Sequence, residues 1–506
     1  MEPEVRTSSG SVRGRRDGTS TVFRGVPFAE PPVGDARFAA PRPRRRWDGI
    51  RDALSFGPPP PQDAGLAGRA EQSAPAGDDW LTVNVWTPAP DPAARRPVMF
   101  WIFGGGYKLG SSANSGYDGS RISRDGDVVV VTFNYRVGIE GFAAIEGAPA
   151  NRGLLDQVAA LEWVRDNIAA FGGDPAQITV FAESAGAGSV AALLAMPRAR
   201  GLFRRAILQS MPGTYFSNAL AGDIATTIAA KLGLRPTAAA LSAIAPDALS
   251  NAATDVAAEQ DKYKARWGAI ASGVYPLTFA PVVDGDVLPC APWQAVAAGA
   301  ARDIELIVGH TRDEFRLFMA FGKQLGNVTD EQAASALRIF GPTPDAARQY
   351  REGMPGASSE RLYEIVQSDW LFRMPSLHLA EDAVAAGGRV HFYDLTWQTP
   401  GNGGALGAPH GLDGSLVFAT FGARLGPLLL GPQPSAAALE LSAQFRAAWI
   451  AFAKTGEPGW PRYEANERLV QVFDSPSKVA AYPEEVSWRI WRDHAFDALP
   501  LLGAKP

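Results

Sequence analysis

The pentapeptide Ala182-Glu183-Ser184-Ala185-Gly186 holds the first residue whose setting suggests chemistry. Ser184 follows a short apolar run, Ile178 to Phe181, and precedes small residues from Ala185 to about Met196. A strand–turn–helix of this kind lifts a serine hydroxyl out of a tight elbow, and its flanking residues must be small because strand and helix nearly touch. Gly186 meets that need; Ala182 carries one methyl group more than the usual glycine. A serine that merely caps the helix is the structural alternative.

A serine hydroxyl is a poor nucleophile at neutral pH and needs a base, which in turn needs a group to orient it. Histidine, with an unperturbed pKa near 6.5, is the usual base. The chain has five histidines, so elimination is feasible. His494 sits near the C-terminus among charged residues and His378 in a helical stretch. His391 falls inside an alternating strand and reads as structural, and His310 closes a strand upstream of its nearest carboxylates. His410 lies in the Gly/Pro-rich loop Gly401 to Gly411, after a strand, where this fold class presents its base. The acid should follow a strand between serine and histidine; Asp313 and Glu314 are so placed, and spacing does not choose between them. Charge that develops on a carbonyl oxygen needs preorganised donors. The turn Phe103-Gly104-Gly105-Gly106-Tyr107 and the N–H of Ala185, next to the serine, can supply them. A phosphate cradle is a poor alternative, because no P-loop Lys-Ser/Thr follows.

These groups must be carried by a scaffold. Apolar runs at Pro97 to Phe103, Asp127 to Asn134, Ile178 to Phe181, Arg204 to Gln209, Ile304 to Gly309, Arg389 to Trp397 and Leu469 to Phe473 predict central strands. They alternate with helix-period segments, the pattern of a mostly parallel sheet with helices on both faces. Leu154, Val158, Leu161, Val164, Ile168 and Phe171 trace one face of a helix that Gly172-Gly173 should end. No linker supports a division into domains, so residues 1–506 read as one catalytic domain. Ala-rich residues 217–276 and residues 315–341 read as helical, cap-like insertions lining the pocket. Aromatic residues there (Tyr263, Trp267, Tyr275, Phe315, Phe318, Phe321) suggest an apolar wall, with a packed core as the alternative for each.

Composition narrows the class further. With 506 residues, 46% hydrophobic and 20% charged, the chain is an ordinary globular sequence. Its formal charge of −5 gives no sign of a nucleic-acid partner. No apolar run approaches the roughly 18–20 residues that span a bilayer. A single cysteine, Cys290, excludes an intrachain disulfide and a cysteine-built metal site. With no evident signal segment at Met1, the expected address is the cytoplasm.

Further motifs carry a resemblance. Phe23-Arg24-Gly25-Val26-Pro27-Phe28-Ala29, continuing through Pro31-Pro32-Val33-Gly34 and Arg37-Phe38, and Asp78-Asp79-Trp80-Leu81-Thr82-Val83-Asn84-Val85-Trp86 are two of them. Asn134-Tyr135-Arg136-Val137-Gly138, Asn167 to Pro175 (NIAAFGGDP), Trp449 to Gly456 (WIAFAKTG) and Trp460-Pro461 complete the set. In these the chain resembles the type B carboxylesterases, the cholinesterase-like branch of the α/β-hydrolases, over nearly its whole length. The resemblance implies an α/β-hydrolase fold and carboxylic-ester hydrolysis through an acyl-enzyme, with a small-molecule ester as partner and no metal or organic cofactor. It implies a triad of Ser184, Glu314 and His410, leaving Asp313 as a neighbour, and oxyanion donors at Gly105, Gly106 and Ala185. Ser210 matches a supporting serine near the triad, or else caps a strand; Glu183 matches a gorge-wall carboxylate of cholinesterases, or else binds structural water.

Four departures stand out: Ala182 for the elbow glycine, which should be tolerated with some strain; Phe103 for a polar wall residue; Phe315 for the glycine after the acid; and Trp80 for a cysteine, leaving the loop from about Pro58 to Gly77 unstapled. Activity should fall as pH drops through the pKa of His410, roughly 6–7. Alternatives are an esterase specialised for one bulky ester (a drug, toxin or pesticide), an amidase or thioesterase using the same triad, and a catalytically silent cholinesterase-like binding protein. The substrate is not legible at this level.

Overall fold

Seven apolar runs that read as strands are seven neighbouring parallel strands in the computed structural model, which describes residues 2–18, 20–62 and 77–503. The greater part of the Pro58–Gly77 loop thus lies outside the described residues. In chain order the strands of the large sheet are β1 (Arg15–Asp17), β2 (Ser20–Pro27), β3 (Thr82–Thr87), β4 (Arg96–Ile102), β5 (Val129–Phe133), β6 (Gly173–Glu183), β7 (Arg205–Gln209), β8 (Glu305–Thr311), β9 (Arg389–Leu395), β10 (Leu469–Phe473) and β11 (Lys478–Ala481). Their spatial order is β11-β10-β9-β8-β7-β6-β4-β5-β3-β2-β1. The block from β5 to β10 is parallel throughout, and β1–β3 and β11 add antiparallel edges. Those edge strands were not foreseen: β1 and β11 are short and largely exposed, so no apolar run announces them, whereas β2 and β3 are largely buried and carry Thr and Asn among their apolar residues.

The buried strands explain the continuous runs. Every residue of β5 is buried, as expected of a strand covered on both faces. Its neighbour β4 lies between β5 and β6, so the winding reverses there and opens a crevice at the carboxyl ends of β4 and β6. Helix α1 (Arg152–Asn167) buries the predicted stripe, continues as a 3₁₀ turn (Ile168–Phe171), and stops at Gly172 with φ 90°. A Cβ at Gly172 would also lie 2.7 Å from the Ala89 carbonyl, so glycine is required twice over. Gly173 is not part of the stop; it begins β6.

The second face of α1 is buried too, which an amphipathic reading misses. Asp156 accepts from the Arg136 backbone N–H (2.9 Å), Nε (2.8 Å) and Nη2 (2.7 Å), and both side chains are fully buried. Arg152, also buried, donates to the carbonyls of Glu140, Pro149, Ile139 and Ala143, and burial lowers its pKa to about 9. The two guanidinium groups thereby fix the chain between β5 and α1, in which the Gly138 N–H donates to the Tyr107 carbonyl at the end of the glycine turn (2.7 Å). Residues 217–276 hold helices at Asn218–Ala230, Ala238–Ser242 and Pro246–Ala258, and residues 315–341 hold Arg316–Phe321 and Asp330–Phe340. Among the described residues no helix is long and apolar enough to cross a membrane.

Removing one partner of a fully buried ion pair leaves the other charge uncompensated. Arg136→Met should therefore cost about 3–5 kcal/mol of stability, measured as a lower guanidinium midpoint; an unchanged midpoint would mean that the buried pair adds nothing to stability.

Candidate active site

Ser184 sits where β6 ends and helix α2 (Ala185–Ala195) begins, at φ 59° and ψ −131°. Its N–H donates to the Gln209 carbonyl at the end of β7 (2.9 Å) and its carbonyl accepts from Gly188 (3.0 Å). Strand and helix thus both hold a conformation that a residue with a Cβ avoids. A Cβ at Gly186 would lie 2.1 Å from the Ile102 carbonyl, which explains the glycine on the helix side. The strand side is less demanding. Ala182 is fully buried, pairs with Ile102 and Leu208, and is not among the residues of positive φ, so the expected strain there is not found.

His410 closes on this serine from the loop after β9, with Nε2 2.8 Å from Ser184 Oγ. Its Nδ1 is 2.6 Å from Glu314 Oε2, and Glu314 Oε1 accepts the Thr311 N–H at 2.8 Å. The carboxylate is thereby aimed by the end of its own strand. Asp313, equal to Glu314 on spacing, faces elsewhere. It pairs with Arg312 (3.0 Å) and Arg361 (2.7 Å), accepts the Ala408 N–H (2.9 Å), and its own N–H donates to the Ala408 carbonyl (2.9 Å). Asp313 thus anchors the histidine loop while Glu314 meets the imidazole. The other four histidines are occupied or remote: His310 bonds Tyr482 Oη (2.9 Å), His391 the carbonyls of Trp460 and Pro461, and His378 and His494 pack on Phe496. Burial lowers the pKa of all four, to about 4 for His378. His410 alone shifts upward: burial works against its charged form, but Glu183 and Glu314 outweigh it.

Glu183 is more than a wall residue. Its Oε1 lies 3.1 Å from His410 Nε2, the nitrogen that faces the serine, and Arg424 Nη2 is 4.0 Å from its Oε2. Asp413, one turn after the histidine, was not singled out in the sequence. It is buried beside the same imidazole, accepts from Tyr393 Oη (2.6 Å) and the Gly414 N–H (2.8 Å), and its pKa is pushed up to about 6 by burial and by Glu183. Phe372 was also missed. It stacks on the His410 ring at 4.2 Å from a π-helical turn, Asp369–Arg373. The i, i+3 spacing from His410 could have flagged Asp413; nothing in the sequence marks Phe372. Ser210 has φ 53°, donates through its N–H to Gly309, and its hydroxyl meets no hydrogen-bond partner among the described residues.

The glycine turn lies across from the serine. Gly105 and Gly106 have φ 128° and 62°, and the Gly105 carbonyl accepts from Lys108 and Leu109. A Cβ at Gly104 would meet Ser184 Cβ at 2.8 Å, and one at Gly105 the Leu109 carbonyl at 2.1 Å. The N–H of Ala185 is in the first turn of α2, where no intrahelical acceptor exists. Phe103 does not form the wall expected of it: it is fully buried, stacked on Tyr135 at 4.3 Å, and its carbonyl accepts from Tyr135 Oη (2.6 Å). Serine, histidine and glycine turn border one cavity of about 400 Å³, whose far side includes Tyr275, Leu277, Leu317, Phe318 and Phe321. Tyr263, Trp267 and Phe315 are not part of it; Tyr263 stacks on Trp267, and Phe315 is buried against Phe318. Gln62 fixes the start of the Pro58 loop to this rim through paired hydrogen bonds with Gly110.

Comparison with known proteins agrees with this architecture. A model of the carboxylesterase family matches residues 1–491. The chain is 37% identical to phenmedipham hydrolase of Pseudarthrobacter oxydans, over 96% of this chain and 99% of that protein. It is 35% identical to para-nitrobenzyl esterase of Bacillus subtilis, over 95% and 96%. A crystal structure of a Geobacillus stearothermophilus carboxylesterase superposes with a TM-score of 0.85 at 35% identity, covering 96% of this chain and 99% of that one. With the α/β-hydrolase fold of such neighbours and a match along almost its entire length, the chain belongs to the type B carboxylesterase family.

Proposed function

We propose that this carboxylesterase cleaves its esters through an acyl-enzyme on Ser184, with His410 as base, Glu314 as its orienting acid, and Gly105, Gly106 and Ala185 as oxyanion donors. What supports the reading most is the unbroken run Glu314 Oε2–His410 Nδ1–His410 Nε2–Ser184 Oγ, with steps of 2.6 and 2.8 Å. An imidazole that donates its Nδ1–H to Glu314 keeps the Nε2 lone pair for the serine proton. Ser184 Oγ attacks the ester carbonyl as that proton moves to Nε2. The backbone N–H groups receive the negative charge on the carbonyl oxygen. The tetrahedral species collapses with cleavage of the acyl–alkoxy bond, and Nε2 returns the proton to the departing alcohol. Water then enters, loses a proton to Nε2, attacks the acyl carbon, and releases the acid and free Ser184.

The chain acts as one catalytic unit in this reading, with its insertions at 217–276 and 315–341 contributing cavity walls through Tyr275, Leu317, Phe318 and Phe321. The lone thiol of Cys290 suits a reducing compartment such as the cytoplasm. The cavity is bordered chiefly by apolar and aromatic side chains, which favours uncharged esters over polar amides as a substrate class.

Ser184→Ala and His410→Ala should each lower kcat for a p-nitrophenyl ester by roughly four to six orders of magnitude, with no burst of p-nitrophenol; a burst surviving in Ser184→Ala would overturn the reading. The pH profile follows from Glu183. A carboxylate 3.1 Å from Nε2 stabilises the imidazolium, so the imidazole stays protonated, and useless as a base, to a higher pH than usual. The acid limb of kcat/KM should therefore lie above about 6.5, and activity should fall as pH drops through it. Glu183→Gln should move that limb to lower pH; an unmoved limb would remove Glu183 from the titration.

A further inference from the structure

One hydroxyl in the cavity has no assigned work. Tyr275 arrives at the end of the first helical insertion, not from the sheet, and it borders the cavity that holds Ser184. Its Oη would lie 2.8 Å from a Cβ built on Gly106, which puts the phenol oxygen directly against one of the two glycines whose N–H groups face the developing charge. That approach exists only because the residue at 106 has no side chain. The third glycine of the turn thus serves both its positive φ of 62° and the phenol beside it. Tyr275 Oη makes no hydrogen bond to any other described residue, although the phenol is half-buried.

The ring is held by contacts that suit a fixed donor. Lys108, two residues after Gly106, carries its Nζ 4.0 Å over the ring centroid and 3.3 Å from the Pro276 carbonyl. On the other side Tyr275 packs against Phe318 at 5.1 Å, and Phe318 against the His410 ring at 5.3 Å. An ammonium on the face of a phenol withdraws electron density and makes its O–H a stronger donor. Burial keeps the same phenol protonated, so it remains a donor throughout the working pH range of the histidine.

We propose that Tyr275 is a further catalytic residue, whose Oη–H donates to the oxyanion beside the Gly105 and Gly106 N–H groups, with Lys108 as its positioning residue. The proposal rests on the acyl-enzyme reading above. No covalent step is added: the hydroxyl donates a hydrogen bond as the carbonyl oxygen gains charge and keeps its proton throughout. A neutral donor that strengthens only as charge develops acts on kcat, not on substrate binding.

The experiment compares wild type, Ser184→Ala, Tyr275→Phe and Lys108→Met on p-nitrophenyl acetate, butyrate and octanoate, with affinity for a trifluoromethyl ketone measured in parallel. Tyr275→Phe keeps the ring and its packing, and a matching thermal midpoint shows that it folds. It should lower kcat about tenfold or more on all three esters with KM little changed, and weaken the ketone, which forms the tetrahedral adduct, by a similar factor. Lys108→Met should act in the same direction and less strongly. Unchanged kcat in Tyr275→Phe, or a change in KM that varies with acyl length, would make Tyr275 a pocket wall and overturn the proposal. A Ser184→Ala enzyme that still hydrolyses these esters would instead overturn the acyl-enzyme reading itself.

Discussion

A serine held at φ 59° and ψ −131° between a strand and a helix is the constraint from which the rest of the site follows. Such a conformation costs on the order of 1–3 kcal/mol and persists only where the surroundings leave no alternative. Here β7 takes the serine N–H, α2 takes its carbonyl, and Gly104 and Gly186 let the end of β4 come close enough to lock it. The hydroxyl is then presented at the carboxyl edge of the sheet, in the crevice opened by the reversal of winding at β4. Glu314 after β8 and His410 after β9 reach the same edge because parallel strands all end on one side.

Around the imidazole the electrostatics are crowded. Glu183, Glu314 and Asp413 are all buried within its field, with Arg424 near Glu183. Three full negative charges in a dry pocket would repel strongly, and Asp413 relieves this by moving toward protonation. Glu314 faces two partners, the Thr311 N–H and His410. Glu183 sits beside Nε2, the nitrogen that faces Ser184, so it stabilises positive charge on the ring. The imidazole thus lies between two carboxylates, one at each ring nitrogen.

The walls come from a different source. Tyr275 belongs to the helical segment after β7, and Leu317, Phe318 and Phe321 to the short helix Arg316–Phe321 after β8. These segments pack on the sheet edge through aromatic contacts, including those of Phe318 with Tyr275, Phe372 and His410. One ring system therefore connects the cavity wall to His410. A second space of about 610 Å³ shares Gln62, Lys108, Tyr275, Phe318 and Phe321 with the first, so the Lys108–Tyr275 pair stands at the junction of the two.

Much of this was legible in the residues alone. The seven parallel strands, the stop at Gly172, the strand–turn–helix setting of Ser184, the loop that carries His410 and the glycine turn all rest on local pattern: apolar runs, spacing, and residues with special backbone freedom. Contacts between distant segments were not legible. Spacing could not separate Asp313 from Glu314, because both follow β8 and only the position of Ala408 and Arg361 decides which one faces the histidine. The wall role given to Phe103 fails because Tyr135, in another loop, draws the ring under the turn. Phe372 on the His410 ring and the approach of Tyr275 to Gly106 likewise arise from elements far apart in sequence. Local chemistry determined which residues could act; the packing of remote segments decided what each of them faces, because direction in space is a property of the folded edge and not of any stretch of chain.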